Sequence, residues 1–297
     1  MKIHILDLNF QDRKNTIASY LVEGPTGLAL IETGPMSTLD VLRKRIVDLG
    51  FTTNNIRHVF VTHIHLDHAG AAGWWAQQGA KIYVHHVGAP HLIDPSKLWE
   101  SATRIYGDQM ETLWGKNLPA PEESIIPLYD GDTVQVAGLT FTALDTPGHA
   151  YHHYVYCLED VAFTGDAAGI RIPGSRMVDL PAPPPEFNRE KWLETIDRLL
   201  QEPLSAIYPT HFGYVEDWRY QLQTLATLIE EATEFVRSQM EEGMGRDKIL
   251  SKYLLWHQRR AEAVGLSDEL FARYESANPH FMSVDGIMRY WRKRLKG

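Results

Sequence analysis

The chain has 297 residues, a formal net charge of -9, 44% hydrophobic and 23% charged residues, and a single cysteine, Cys157. That is enough chain for one large domain, or a core domain with an appendage. No apolar run approaches the ~18 residues of a membrane span. The acidic balance repels nucleic-acid phosphates, and a lone cysteine excludes an intramolecular disulfide. We therefore expect neither nucleic acid nor membrane as partner. The cysteine usage fits a cytoplasmic setting.

MKIHILDLNF mixes charge into a short apolar run and reads as a first strand, not a signal peptide. Residues 17–23 and 27–32 are apolar runs around a Gly-Pro-Thr-Gly turn, a hairpin signal. Residues 38–49 place apolar side chains at 39, 42, 46 and 49, a helical stripe stopped by Gly50. Residues 57–61 and 81–85 read as strands with a helix over 68–78 between them, a βαβ unit. Short strands are predicted at 125–128, 133–136, 139–145, 153–157, 161–164 and 206–209, with a helix at 189–201. The two strand-rich halves suit two sheets packed face to face. PAPPPEF, 181–187, is a rigid connector that cannot be an interior strand or helix. Beyond about residue 215 the periodicity turns helical, at 217–242, 246–263 and 280–295. The expected organisation is a catalytic region over 1–214 and a helical region over 215–297.

The chemistry is concentrated in VTHIHLDHAG. His63, His65, Asp67 and His68 follow a predicted strand, where the chain must turn into a helix. Imidazoles and carboxylates are the usual nitrogen and oxygen donors to zinc, at about 2 Å. Four such donors exceed what one open metal site requires, so two ions are expected. Three further donors sit at strand ends: His149 in LDTPGH, Asp166 in VAFTGD and His211 in AIYPTH.

THIHLDHAG resembles the HxHxDH signature of the metallo-β-lactamase superfamily. TPGH, FTGD and PTH resemble that family's later motifs, in the same order. The resemblance covers about residues 15–215. It implies a four-layer αββα sandwich, here α/β with a C-terminal helical appendage. It also implies that His63, His65 and His149 bind one ion, that Asp67, His68 and His211 bind the second, and that Asp166 bridges them. His153 matches a family histidine that supports the site without being a ligand. LIETG at 30–34 resembles an early motif but carries Glu32 where Asp is usual, which lengthens a supporting carboxylate and shifts its hydrogen bonds.

The implied function is hydrolysis of an activated carbonyl in a small-molecule substrate, a thioester, lactone, ester or amide, by a hydroxide shared between two divalent ions. Asp67 and Asp166 are then the catalytic carboxylates. Zinc is the first expectation, and iron or manganese accept the same donors. Within the superfamily the HxHxDH form and the helical tail resemble the glyoxalase II branch. GDAAGIRIPGSRM after Asp166 departs from that branch's glutathione-binding stretch, leaving Arg171 and Arg176 as candidate anion contacts. The alternatives are a quorum-quenching lactonase and a mononuclear-iron persulfide dioxygenase. Tyr151, His152 and Tyr214 are candidate proton donors. The aromatic-bearing segment 91–118 is expected to flank the cleft. The helical tail either roofs the cleft or forms a homodimer interface, and its basic end, 289–296, is a candidate anion contact.

Overall fold

The structure, a computed structural model, describes residues 1–295. Strands β1 (Lys2–Asp7), β2 (Ala18–Gly24) and β3 (Gly27–Ile31) lead into helix α1 (Leu39–Asp48) and strand β4 (Ile56–Phe60). Helices α2 (Leu66–Ala69) and α3 (Ala72–Gln77) precede β5 (Lys81–His85). Three helices follow, α4 (Ala89–Ile93), α5 (Ser96–Tyr106) and α6 (Met110–Trp114), and then β6 (Ile125–Leu128). The second half holds β7 (Thr133–Val136), β8 (Leu139–Asp145), β9 (Tyr154–Leu158), β10 (Val161–Gly165), α7 (Arg189–Gln201) and β11 (Ala206–Pro209). The chain then continues through α8 (Trp218–Glu241), α9 (Arg246–Ala263), α10 (Asp268–Ala277) and α11 (His280–Arg294).

The first sheet has the order β1-β2-β3-β4-β5-β6 and the second β11-β10-β9-β8-β7. Strand periodicity explains why both faces of each sheet are covered. On β2, Tyr20 and Val22 point into the space between the sheets, while Leu21 points outward. On β4, Phe60 faces inward and Val59 outward; on β5, Tyr83 faces inward and Ile82 and Val84 outward. Phe141, Tyr156 and Phe163 of the second sheet meet this inner layer. Phe60 stacks on Tyr83 and Phe141 with ring centroids 4.5 and 4.6 Å apart. The outward face of the first sheet packs on α1, α3 and α4. The outward face of the second packs on α7, α8, α9 and α11 in one continuous apolar cluster. The four layers of the expected αββα sandwich result, and the helices after residue 215 share the core of the second sheet.

One expected element changes, and two further stretches prove helical. The helix predicted over 68–78 starts earlier, at Leu66, and breaks after Ala69. The Ala71 amide donates to Gly34 O and Thr33 Oγ1 instead of continuing the helical ladder. Segment 91–118 is largely helical. The tail contains a further helix, α10, capped by Ser267, whose side chain accepts from the Leu270 amide. Among the described residues no helix is long and apolar enough to cross a membrane.

Candidate metal centre

The structure brings the seven expected donors to one end of the sandwich. His63 and His65 lie in the loop after β4, and Asp67 and His68 lie in the first turn of α2. His149 follows β8, Asp166 directly follows β10, and His211 follows β11. The donor atoms form three overlapping groups, each within 4.8 Å: His63, His65 and His149; His63, His68 and Asp166; Asp67, His68 and His211. Asp166 Oδ2 is 3.3 Å from His149 Nε2, and its Oδ1 is 3.3 Å from His68 Nε2 and 3.5 Å from His211 Nε2. Asp166 thus faces both halves of the cluster.

The loops are built to present these atoms. Gly148 has φ +139, and a Cβ there would lie 2.4 Å from Trp192 Cα, so the turn before His149 packs directly on α7. Gly165 has φ +50, and a Cβ there would lie 2.4 Å from Thr62 Oγ1. Trp192 donates from Nε1 to Ala167 O, which ties α7 to the loop of Asp166 as well.

Most of the imidazoles are held from behind. His149 Nδ1 donates to Pro181 O at 2.7 Å, and His211 Nδ1 donates to Thr16 O at 2.6 Å. His68 Nδ1 meets Glu32 Oε1 at 3.2 Å, and His63 Nδ1 meets Thr62 Oγ1 at 3.0 Å. Each contact leaves Nε2 free to face the cluster, the arrangement that orients metal-binding imidazoles. His65 instead turns Nδ1 inward, 2.9 Å from Nε2 of both His63 and His149. His153 is not oriented as a donor to the cluster. Its Nδ1 meets Thr146 Oγ1 and its Nε2 accepts from the Asp166 amide, so it positions Asp166.

Glu32 is buried at φ +63. It accepts from the Thr62 amide and hydroxyl, from the Thr210 hydroxyl and from His68. One carboxylate therefore joins the ends of β3, β4 and β11.

Electrostatics separate the donors. Burial pulls His63 and His65 below the ordinary imidazole range, His65 to about 3, with neighbouring imidazoles adding to it. Neutral imidazoles are what a metal requires. Burial also opposes charge on His68 and His211, but Asp166 and Asp67 outweigh it and raise both. Burial disfavours the ionised carboxylates, yet His68 and the surrounding imidazoles outweigh it and hold Asp67 and Asp166 low.

A metal ion fits these residues. His68 Nε2, Asp166 Oδ1 and His211 Nε2 are buried without a hydrogen-bond partner, a state that buried polar atoms seldom keep. Their separations of 3.3–3.5 Å match the edge, roughly 3.3 Å, of a tetrahedron with bonds of about 2 Å.

A cleft of about 300 Å³ opens over the cluster. His65, Asp67, His149 and Asp166 line its floor. Leu98, Ala102, Ile105, Tyr106 and Trp114 from α5 and α6 form one wall. Pro181, Pro183 and Pro185 of the connector, with Pro279 and Met282 at the start of α11, form another. Tyr106 was within reach of sequence reasoning only as part of an aromatic segment. The connector's place at the cleft had no local signal, because it depends on α11 packing behind it.

Other sequence candidates lie elsewhere. Arg171 and Arg176 pair with Asp217 and do not line the cleft. Tyr151 and Tyr214 are 45% and 54% exposed and do not line it either, whereas His152 does and pairs with Glu186 at 3.3 Å. Arg294 pairs with Glu190 on α7, and none of the described tail cations lines the cleft; Lys296 lies outside the described residues.

Comparison with known proteins identifies the family and the fold. The family model described as the metallo-beta-lactamase superfamily matches residues 13–211. The chain is 28% identical to the metallo-beta-lactamase fold-containing protein ST1585 of Sulfurisphaera tokodaii over 57% of this chain and 65% of that one. It is 26% identical to an atrochrysone carboxyl ACP thioesterase of Aspergillus fumigatus, over 68% of this chain and 42% of that one. The chain thus spans less than two-thirds of the length of these curated relatives. Among solved structures, the metallo-beta-lactamase family protein TTHA1429 of Thermus thermophilus superimposes with a TM-score of 0.69 at 22% identity, covering 98% of this chain and 93% of that one. ST1585 superimposes with a TM-score of 0.65 at 19% identity, covering 96% and 98%. With more than half of its length matched by the family model and its layers arranged as described, the chain belongs to the metallo-β-lactamase superfamily.

Proposed function

We propose that the chain is a two-metal hydrolase of activated carbonyl compounds, with thioesters of apolar acyl groups as its substrate class and lactones or esters as the second reading. Members of the superfamily are generally hydrolases. The observation that carries the proposal is a complete His/Asp cluster on the floor of a mainly apolar cleft.

In this reading His63, His65 and His149 hold one ion, Asp67, His68 and His211 hold the other, and Asp166 serves both. When bound, the pair supplies an activated water and an electrophile for the carbonyl oxygen. Asp67, beside the cleft, accepts a hydrogen bond from the attacking water and fixes its direction. Leu98, Ile105, Trp114 and Met282 receive the acyl chain and exclude bulk water. The Tyr106 phenol, whose pKa is raised by burial and by the Asp67 charge, stays protonated and available to donate to the substrate.

The leaving group favours thioesters. A thiolate departs without a proton, since its conjugate acid has a pKa near about 8.5. The cleft needs no strong general acid; His152, which lines it, lies 3.3 Å from Glu186. The acyl group is argued from the walls. A glutathione conjugate brings two carboxylates, but the cleft offers only His91 and Lys97 as cationic or ionisable nitrogen donors away from the metal cluster and His152. Arg171 and Arg176 are held by Asp217. The name of the thioesterase relative supports the same class.

The test is a hydrolysis panel on zinc-loaded protein with Asp166→Ala as the blank. It contains a medium-chain acyl thioester, a glutathione thioester, an acyl-homoserine lactone and an aryl ester. We expect the acyl thioester to turn over fastest and the blank to be inactive. Preference for the lactone would replace the first reading with the second. Turnover of the glutathione thioester alone would overturn the argument from the cleft walls. No cleavage of any would overturn the hydrolase reading.

A further inference from the structure

A second group of metal donors lies outside the catalytic cluster. Asp179, His257 and His280 are each fully buried, and their donor atoms lie within 4.8 Å of one another. They come from three places in the fold: the segment after the Asp166 loop, the middle of α9 and the first residue of α11. None of them lines the cleft.

Their geometry does not fit hydrogen bonding. His257 Nδ1 is 3.6 Å from Asp179 Oδ1, and His280 Nε2 is 3.6 Å from Asp179 Oδ2. A charge-assisted nitrogen–oxygen bond closes to about 2.7–2.9 Å. Both ring nitrogens of His257 and Nε2 of His280 have no hydrogen-bond partner, although the rings are buried. The catalytic cluster shows the same two signs: imidazole–carboxylate separations of 3.3–3.6 Å and unpartnered Nε2 atoms on His68 and His211. Those separations suit ligands sharing a tetrahedral ion.

The surroundings also suit an ion. Glu275 takes the other nitrogen of His280, Nδ1, and accepts from the His280 amide, which fixes the ring with Nε2 toward Asp179. Asp179 is fixed by the Leu180 amide on Oδ1 and the Asn278 side chain on Oδ2, both at 2.9 Å. Each carboxylate oxygen retains a further lone pair. Arg260, nearby on α9, donates to Val178 O and forms no ion pair with Asp179. The hydroxyl of Tyr253 is buried and unpartnered beside His257, with ring centroids 4.6 Å apart.

We propose that Asp179, His257 and His280 form a structural divalent-metal site, of the zinc type, that clamps the helical region to the catalytic layers. Its position gives it a use. Asp179 is bonded to Ile170 through both backbone groups, and two residues later Pro181 O orients His149. On the other side Asn278, Pro279 and Met282 contribute to the cleft. An ion here fixes a cleft wall without contacting substrate.

The test measures zinc per full-length chain after loading and removal of free metal. His257→Gln is expected to hold one equivalent less than the wild type. A chain carrying His63→Ala and His68→Ala, which breaks every donor group of the catalytic cluster, is expected to retain one equivalent, and that equivalent is lost on adding His257→Gln. Cobalt(II) loaded into the double variant gives the visible absorption of a tetrahedral nitrogen–oxygen site. His257→Gln with undiminished zinc overturns the proposal. So does a double variant that binds neither zinc nor cobalt while remaining folded by circular dichroism. Should His257→Gln fail to fold, retention in the double variant decides. None of these readings depends on what the catalytic cluster hydrolyses.

Discussion

Replacing Glu32 with glutamine tests how the catalytic donors are held. The carboxylate accepts four hydrogen bonds: from the Thr62 amide and hydroxyl, from Thr210 and from His68. Complete removal, as in Glu32→Ala, strands four buried donors at about 1–3 kcal/mol each. That sum rivals the whole stability of a domain, about 5–15 kcal/mol, so the alanine variant is expected not to fold. Glutamine keeps the size and one acceptor oxygen but loses the charge. It must turn either its oxygen or its NH2 toward His68 Nδ1, which no longer has a carboxylate behind it. Loss of such a partner weakens metal binding about 10–100-fold, or roughly 1.4–2.8 kcal/mol. The assay is zinc competition against a chromophoric chelator, read in the His257→Gln background to isolate the catalytic cluster. A Glu32→Gln chain that melts cooperatively and binds zinc with unchanged affinity would refute the supporting role. Glu32→Asp is expected to fall between the two.

Four further outcomes follow from the same geometry. Zinc affinity at the cluster should fall as pH is lowered through the raised pKa values of His68 and His211 and be fully developed above them, because protons compete for the same nitrogens; a pH-independent affinity would contradict this. Gly148→Ala should weaken zinc binding, since its Cβ would meet the Trp192 backbone and displace His149; an unchanged titration would show that the turn adapts. Phe60→Ala should destabilise by about 3–5 kcal/mol in denaturant unfolding, as the ring is fully buried between two others; a loss under about 1 kcal/mol would place the residue outside the inter-sheet core. Ile105→Lys, at a cleft position that is 36% exposed, should raise KM for apolar acyl thioesters by roughly tenfold with little change in kcat; an unaltered KM would remove α5 from the acyl site.

The strands were legible because the pattern is local. Tyr20 and Val22 alternate with Leu21, and nothing distant is needed to read a strand there. The gathering of the candidate donors was legible for the same reason: His63, His149, Asp166 and His211 each follow a strand and stand directly after Thr or Gly. What stayed illegible depends on distant partners. The break after Ala69 follows from Ala71 bonding to the loop at 33–34, which no window around residue 70 contains. Glu32 was read as a supporting carboxylate from the resemblance alone, and its partners stayed hidden because the bonds it accepts require β3, β4 and β11 to meet. Arg171 looked available for an anion because Asp217, its partner, is 46 residues away in sequence. Helix α10 could have been found, since Ser267 precedes Asp268 and Glu269 as a helix start should. The group at Asp179, His257 and His280 has no motif, because its members are scattered over a hundred residues.

The activity proposed for this cluster is metal-dependent hydrolysis of an apolar acyl thioester. The most direct measurement is the hydrolysis rate of one such substrate by the wild-type chain and by Asp166→Ala. Each is measured after chelator treatment and again after zinc is returned. Chelation is expected to abolish wild-type turnover, zinc to restore it, and Asp166→Ala to stay at background in both states. Turnover that survives chelation, or an Asp166→Ala chain that keeps pace with the wild type at matched zinc, would contradict the proposal.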